Sequence, residues 1–163
     1  MTDFRDSPIH DALKPLEWLI GKWKGEGKGT CPISGPFEYT DEIEFFHVGQ
    51  PMLQFSLYSI NKKTSRPHHR ELGFLKIKPG TNEIAWIAAH NNAISEIQEG
   101  TVEGQSIELE SNDIRRKIFF DGCKMIKVKR SFKREGDTLH QIFNMETDAG
   151  PLTEHLNTTY HKV

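Results

Sequence analysis

The feature that most constrains this chain is an alternation of apolar and polar residues that begins near Phe37 and continues to the C-terminus. Segments such as Phe37–Phe45, Leu53–Tyr58 and Glu83–Ala88 carry apolar side chains at every second position, as strands with one buried face do. Turn-forming Gly, Pro, Asn and Asp residues separate the segments up to a last strand at Pro151–Tyr160. With about ten such strands and no helix after residue 20, the chain is predicted to be all-β, an antiparallel up-and-down barrel closed on itself.

The later strands are expected at Ile94–Val102, Ser106–Glu110, Ile114–Phe120, Lys124–Arg134 and Asp137–Met145. A barrel of more than about eight strands encloses a cavity instead of filling it with side chains. The pattern therefore predicts a binding protein for a small ligand.

The N-terminal part of the chain has a different pattern. Residues 1–10 are predicted to be a flexible leader, and residues 11–163 to form the barrel domain. Asp11 is expected to cap a short helix that continues through Ile20 and covers one end of the barrel. The next run, Gly21–Gly29, places its glycines on one face of a strand, where a backbone, a helix or a flat ligand can approach closely. A glycine-rich bend at a barrel corner explains this run equally well.

Charge and composition argue against several kinds of partner. The chain has 21 Lys and Arg against 23 Asp and Glu, a net charge of −2, so nucleic acid and anionic membranes are not expected as partners. The basic run Lys124–Arg130 alternates with apolar residues and predicts a strand with a solvated basic face. No signal peptide or long apolar segment is evident, which predicts a cytoplasmic or nuclear location. Cys31 and Cys123 are expected to be free thiols.

One histidine, His155, lies in the middle of the last strand. Simple alternation puts it on one face with Thr153, Asn157 and Thr159, and puts Leu152, Leu156 and Tyr160 on the other. If the histidine face points inward, a neutral imidazole can offer a nitrogen lone pair to an iron atom. A surface histidine or a hydrogen-bonded core histidine is the alternative, and the strand pattern leaves both open.

The other histidines show no zinc signature. His68 and His69 are neighbours on a strand, so at most one of them is expected to reach the barrel interior, and the same rule applies around His90. The sequence contains neither His-x-x-x-His nor Cys-x-x-Cys, which argues against a tetrahedral zinc site. It also lacks the Gly-x-Ser-x-Gly element of many hydrolases.

Several stretches together resemble the nitrobindin family of haem-binding, ten-stranded barrels, which are lipocalin-like and fatty-acid-binding-protein-like in fold. The resemblance is carried by Leu16–Gly27, with its Gly-x-Trp-x-Gly-x-Gly pattern, and by His47–Pro51, His69–Phe74, Glu99–Gly100 and Pro151–Leu156. These stretches occur in the family's order and spacing from residue 13 to the C-terminus.

The resemblance implies a b-type haem whose iron rests as Fe(III), binding of nitric oxide, and isomerisation of peroxynitrite to nitrate. His155 matches the family's proximal iron ligand, and so would be both the metal ligand and the catalytic residue. His69 and Met145 match residues that line the haem cavity. Ile33, which stands where many members have Thr, and His90, which stands where Gln is frequent, are also expected to contact the haem. The protein is expected to be a monomer or a weak homodimer.

The alternative function is a lipocalin-like carrier of a small apolar ligand such as a fatty acid. Such carriers usually anchor a carboxylate with two interior arginines. Arg115 and Arg116 are adjacent on a strand and cannot both point inward, which argues against this function. An interaction domain in which haem is vestigial is a further alternative.

Overall fold

The structure is a computed structural model that describes residues 3–116 and 122–163. Within these residues, ten antiparallel strands close into a barrel in the order β1-β10-β9-β8-β7-β6-β5-β4-β3-β2. Their bounds are β1 Gly21–Cys31, β2 Gly35–His47, β3 Met52–Asn61, β4 Pro67–Ile77, β5 Glu83–His90, β6 Ile94–Glu103, β7 Ser106–Arg116, β8 Met125–Glu135, β9 Thr138–Thr147 and β10 Gly150–Lys162. The predicted closed up-and-down barrel is confirmed.

The strand pattern differs from the prediction in β7. The two strands predicted at Ser106–Glu110 and Ile114–Phe120 are one continuous strand up to Arg116, and residues 117–121 lie outside the described residues. The polar residues around Asn112, which suggested a break, form a β-bulge, because the pairing with β6 skips Asn112.

Two 3₁₀ helices, Phe4–Asp6 and Asp11–Leu19, precede the barrel. The predicted Asp11 cap is wrong, because His10 is the capping residue and its Nδ1 accepts a hydrogen bond from the Ala12 amide at 3.1 Å. The longer helix does cover one end of the barrel, since its fully buried leucines belong to the hydrophobic core: Leu13, Leu16 and Leu19. Neither helix is long and apolar enough to cross a membrane.

Aromatic side chains fill the barrel interior next to the longer helix. The rings of Phe55 and Trp86 stack with their centroids 3.7 Å apart, and Phe132 lies against Trp86 at 5.6 Å. Trp23 links this core to the helix, because its Nε1 donates to the Leu19 carbonyl oxygen at 2.8 Å. This packing leaves the opposite end of the barrel for a cavity.

The glycine face of β1 receives aromatic rings from β2. A Cβ atom at Gly27 would lie 2.3 Å from Cζ of Tyr39, and one at Gly29 would lie 2.3 Å from Cζ of Phe37. Side chains of larger residues cannot share this space with the two rings. The glycines therefore set the position of Phe37 and Tyr39, both of which line the cavity.

Candidate functional site

A cavity of about 750 Å³ lies at the barrel end where the β1–β2 and β5–β6 turns meet. Pockets for drug-sized or cofactor-sized ligands typically measure roughly 300–1,000 Å³. Much of the lining is apolar, contributed by Phe37, Leu57, Ile94, Met125, Phe143, Met145 and Leu156. The cavity therefore suits a large, mainly apolar molecule with a few polar contacts.

His155 reaches this cavity through a β-bulge in β10. The pairing with β9 joins Glu154 to Asn144 and then Leu156 to Phe143, so His155 is an extra residue with no partner in that ladder. At a bulge the alternation of inward and outward side chains is interrupted. Consequently His155 and Leu156, although adjacent in sequence, both line the cavity.

This bulge overturns the predicted faces of the last strand. On the C-terminal side of the bulge, Thr158 and Tyr160 are buried, whereas Asn157 is exposed. The inner face is thus the one predicted for Leu156 and Tyr160, and His155 joins it. Two-residue periodicity could not locate the extra residue, because a bulge leaves no composition signal in this run.

One ring nitrogen of His155 is fixed to the barrel wall. Nδ1 lies 2.5 Å from the carbonyl oxygen of Thr30 in β1, so Nδ1 carries the proton and donates it. Among the described residues, none forms a hydrogen bond with Nε2. Burial lowers the pKa of His155 below its ordinary value, outweighing the opposite effect of the Thr30 carbonyl. The imidazole is therefore neutral, with its Nε2 lone pair available to a ligand.

Two aromatic rings orient the His155 imidazole. Phe37 meets it at a centroid distance of 6.0 Å and Phe143 at 6.2 Å, both with the rings steeply inclined. Phe37 also contacts His68 edge-on at 4.9 Å. This packing restricts rotation of the His155 ring, and a fixed ring orientation is what a metal-binding histidine needs.

His68 and His69 both line the cavity, so the prediction that at most one of them could do so is wrong. The register between β3 and β4 shifts between Tyr58 and Ile60, opposite the two histidines, and strict alternation fails there. His69 is half-buried. His68 is more exposed and lies at the rim against Phe37.

A buried polar cluster separates the cavity from the aromatic core. We use this name for five side chains that are each at most 9% exposed: Glu71, His90, Glu96, Gln98 and Arg130. The Arg130 guanidinium lies 4.4 Å from the centroid of the Trp86 ring on the core side and 4.9 Å from that of Phe143 on the cavity side. The cluster thus places charge at the inner end of a cavity whose lining is largely apolar.

Glu71 and Arg130 are the central ion pair of this cluster. Nη2 of Arg130 lies 3.0 Å from each carboxylate oxygen of Glu71, and Trp86 donates to Glu71 Oε1 at 2.6 Å. Burial alone would raise the pKa of Glu71, but the charges of Arg130 and His90 outweigh burial and hold the pKa well below its usual range. Glu71 is therefore an ionised carboxylate beside the cavity.

His90 connects the cluster to His69. Its Nε2 lies 3.2 Å from Glu96 Oε1, and its Nδ1 lies 3.2 Å from His69 Nε2. Burial opposes a charge on His90, but the Glu71 and Glu96 carboxylates raise its pKa above the ordinary value. His90 is thus held by hydrogen bonds at both ring nitrogens.

The sequence patterns indicate no role for Glu71, Glu96 or Arg130. The solvated basic face predicted for Lys124–Arg130 is wrong at Arg130, which is only 2% exposed. Arg130 lies two residues from Val128 and from Phe132 and shares their inward face. That parity was the signal that could have identified it. Arg115 and Arg116, by contrast, are exposed.

A second buried network lies beside the cluster. The Tyr160 hydroxyl oxygen is 2.6 Å from Asp41 Oδ2 and 2.7 Å from Gln141 Oε1. Burial raises the pKa of Asp41 to about 7. A single hydroxyl proton cannot serve both acceptors. A protonated Asp41 solves this, because it donates to the Tyr160 oxygen while Tyr160 donates to Gln141.

The remaining predicted contact residues also border the cavity. Ile33 is 72% exposed in the β1–β2 turn at the cavity mouth, and Met145 extends from β9 into the lining. The structure therefore brings the five predicted haem contacts together: His155, Ile33, His69, His90 and Met145. Cys31 and Cys123 are free thiols, as predicted, and line the same cavity.

A closed ten-stranded barrel with an apolar cavity, and with one neutral imidazole that offers a free nitrogen into it, defines a class of cofactor-binding barrel suited to an iron porphyrin. The residues present fit that group, because His155 has its proton on the nitrogen facing the wall. The chain belongs to the family described as THAP4-like, heme-binding beta-barrel domain, whose model matches residues 12–162. The family is described as haem-binding.

Relatives support the same family assignment. The chain is 39% identical over 163 residues to "Peroxynitrite isomerase THAP4" of Homo sapiens, a match that covers 98% of this chain and 28% of that protein. It is 30% identical over 159 residues to "Peroxynitrite isomerase Rv2717c" of Arabidopsis thaliana, covering 96% and 92%. The solved structure "Crystal Structure of Rv2717c from M. tuberculosis" superposes with a TM-score of 0.86 at 31% identity, covering 96% and 99%. The chain thus spans little more than a quarter of the THAP4 proteins but nearly all of the shorter relatives.

Proposed function

We propose that this barrel binds a b-type haem through Nε2 of His155, rests in the Fe(III) state, and isomerises peroxynitrite to nitrate. The observation that carries the proposal is the hydrogen bond between His155 Nδ1 and the Thr30 carbonyl, because it leaves Nε2 deprotonated at the cavity. The relatives named peroxynitrite isomerase support this chemistry. Residues 11–163 would form the haem-binding domain, with residues 1–10 as its leader.

When bound through His155, a haem would supply the iron chemistry needed to isomerise peroxynitrite. The chain contributes ligation and confinement. Thr30 fixes the imidazole tautomer, and Phe37 and Phe143 hold the ring in its plane. His69, His90, Met145 and Ile33 are proposed to border the haem. The apolar side chains of the cavity lining would limit the contact of the bound group and its substrate with bulk water.

Nitric oxide is the second ligand that we propose for the same iron site. It is small and uncharged, so the apolar lining around Met145 and Leu156 admits it without desolvating a charge.

A fatty-acid carrier fits the cavity less well. Its one buried arginine near the lining, among the described residues, is Arg130, and Glu71 and Glu96 already neutralise it. A ligand carboxylate there would meet two buried carboxylates, which disfavours binding. The exposed positions of Arg115 and Arg116 add no alternative anchor.

The test is hemin reconstitution followed by absorption spectroscopy of wild type, His155→Ala and His161→Ala. His161 lies on the same strand but is exposed, which makes its variant the matched control. We expect a protein-bound Soret band in wild type and His161→Ala, and loss of it in His155→Ala. An unchanged spectrum in His155→Ala would overturn the ligation proposal.

Activity requires a separate measurement. The ferric protein is mixed with peroxynitrite, and the nitrate yield and tyrosine nitration are compared with those of free hemin. A nitrate-forming rate no higher than that of free hemin would favour a nitric oxide carrier over an isomerase. The monomeric or weakly dimeric state and the cytoplasmic or nuclear location stay predictions.

A further inference from the structure

The inner end of the cavity contains a set of metal-ligating atoms that do not serve as iron ligands in the proposed haem site. His69 and Glu71 are two residues apart on β4, and Glu71 is paired with His90 on β5. Residues two apart on a strand point to the same side, and directly paired residues are close neighbours across strands. The sheet thus brings two imidazoles and one carboxylate to a single point.

The separations of the three donor atoms match a metal site. His69 Nε2 lies 3.2 Å from His90 Nδ1 and 3.5 Å from Glu71 Oε2, and His90 Nδ1 lies 3.9 Å from Glu71 Oε2. A triangle with these sides has a centre about 2.1 Å from each corner, within the roughly 2.0–2.2 Å of zinc–nitrogen and zinc–oxygen bonds.

We propose that His69, Glu71 and His90 form a binding site for a divalent transition-metal ion such as Zn²⁺, separate from the haem ligand His155. Two histidines and one carboxylate are a ligand set that zinc accepts, with a fourth position left open. That position faces the cavity, because all three residues line it. The site lies at the inner end of the same chamber and needs no change in the fold.

The surroundings of the three ligands support this assignment. Metal-binding histidines usually donate their second N–H to a carboxylate, and His90 Nε2 has Glu96 Oε1 at 3.2 Å for this purpose. Trp86 and Arg130 both bond to Glu71 Oε1, which fixes the carboxylate. The other oxygen of Glu96 is buried without a hydrogen-bond partner among the described residues. A nearby cation would compensate that uncovered negative charge.

Arg130 is the strongest argument against a cation here, because its Nη2 is 3.0 Å from Glu71 Oε2. Its charge is offset by two carboxylates, Glu71 and Glu96, within 3.6 Å. The two carboxylates and one guanidinium therefore leave one formal negative charge when His69 and His90 are neutral. A divalent ion would need the lone pairs of both His69 Nε2 and His90 Nδ1, so the single proton between these atoms would move to Nδ1 of His69, and both imidazoles would stay neutral.

The sequence argued against a tetrahedral zinc site because it lacks helical and paired-cysteine spacings. The site proposed here uses a strand pattern instead, His-x-Glu followed by a histidine on the neighbouring strand. This pattern becomes visible only once the β4–β5 register is known, since nineteen positions separate Glu71 from His90.

The test is Zn²⁺ titration of the haem-free full chain by calorimetry, in competition with a chelator of known affinity. We expect one tight Zn²⁺ per wild-type chain. His90→Gln should weaken binding by about 100-fold or more, since even the loss of an outer-shell partner costs about 10- to 100-fold. His69→Gln, at a half-buried position, provides a second ligand variant if His90→Gln does not fold. His161→Gln is the matched control.

His155→Gln distinguishes this site from the haem site. It should lose the Soret band after hemin addition but bind Zn²⁺ as wild type does. Anomalous diffraction at the zinc edge should then place the ion among His69, Glu71 and His90. Equal Zn²⁺ affinity in wild type and both ligand variants, or loss of binding in His155→Gln, would overturn the proposal whatever the outcome for haem.

Discussion

Nδ1 of His155 lies 2.5 Å from the carbonyl oxygen of Thr30, across the pairing of β10 with β1 that closes the barrel. The acceptor is a backbone atom of a strand, so its position depends on barrel closure and not on a side-chain rotamer. This single contact decides which nitrogen of the imidazole is available, and it ties the haem chemistry to the fold.

We expect His155→Gly to lose haem and to recover it when imidazole is added. Free imidazole can coordinate the iron and donate its N–H to Thr30 in the space that the side chain leaves. 1-Methylimidazole has no such N–H, so its rescue should be weaker by about 2- to 10-fold, the worth of one hydrogen bond of roughly 0.5–1.5 kcal/mol. The measurement is Soret absorbance against ligand concentration, normalised to binding of each ligand by free hemin. Equal rescue by both ligands would contradict a role for Thr30.

The glycine face of β1 gives a prediction for stability. Gly27→Ala should lower the free energy of unfolding by about 1–3 kcal/mol, the usual cost of overfilling a packed interior. The new Cβ would meet the Tyr39 ring, which cannot move freely because its hydroxyl bonds to Thr158 at 2.7 Å. Denaturant unfolding measures the change. Gly150→Ala is the control, since nothing lies within 4 Å of its Cβ position, and an equal loss in both variants would contradict this explanation.

Much of the fold could be predicted from the sequence, because the alternation and the turn residues together specify consecutive antiparallel strands. The errors concentrate at register shifts. Asn112, His155 and the His68–His69 pair each lie where a bulge interrupts the alternation, and a bulge depends on the partner strand, which local sequence does not contain. These shifts also place His155 and His68–His69 in the cavity lining.

The buried polar cluster was missed for a different reason. Sequence patterns assign charged residues to the surface, because burying a charge is costly unless a partner compensates it. Glu71 and Arg130 compensate each other from strands that are 59 residues apart in the chain. Only the closed barrel brings them together, so the pair could not be predicted from either strand alone.

Arg130→Met should destabilise the protein by about 3–5 kcal/mol, because it leaves Glu71 and Glu96 buried without their cation. Met retains much of the side-chain volume, so the loss reports the charge more than a cavity. The midpoint of urea unfolding is the measurement. Arg115→Met is the control, since Arg115 is exposed and pairs with exposed Asp113. Comparable loss in the two variants would show that the ion pair is not the source of the effect.

Asp41 predicts how stability depends on pH. Burial raises its folded-state pKa to about 7, whereas its ordinary value is 3.8. Between these values the folded protein keeps a proton that the unfolded chain has lost. The stabilisation that protonated Asp41 provides is therefore complete below its ordinary pKa. It falls as the pH rises from the ordinary pKa to the folded-state pKa, and it is lost above the folded-state pKa.

Asp41→Asn should remove this dependence, because an amide cannot ionise. The unfolding free energy of wild type relative to the variant should fall with rising pH, by at most about 1.4 kcal/mol per pH unit, and level off above neutrality. Urea unfolding of both proteins across this range measures the difference. Asp113→Asn, at an exposed position, should give a curve parallel to wild type. If the Asp41→Asn curve were also parallel to that of wild type, the Asp41 carboxyl would be ionised in the folded protein throughout this pH range. It would then have no proton to donate to the Tyr160 hydroxyl oxygen.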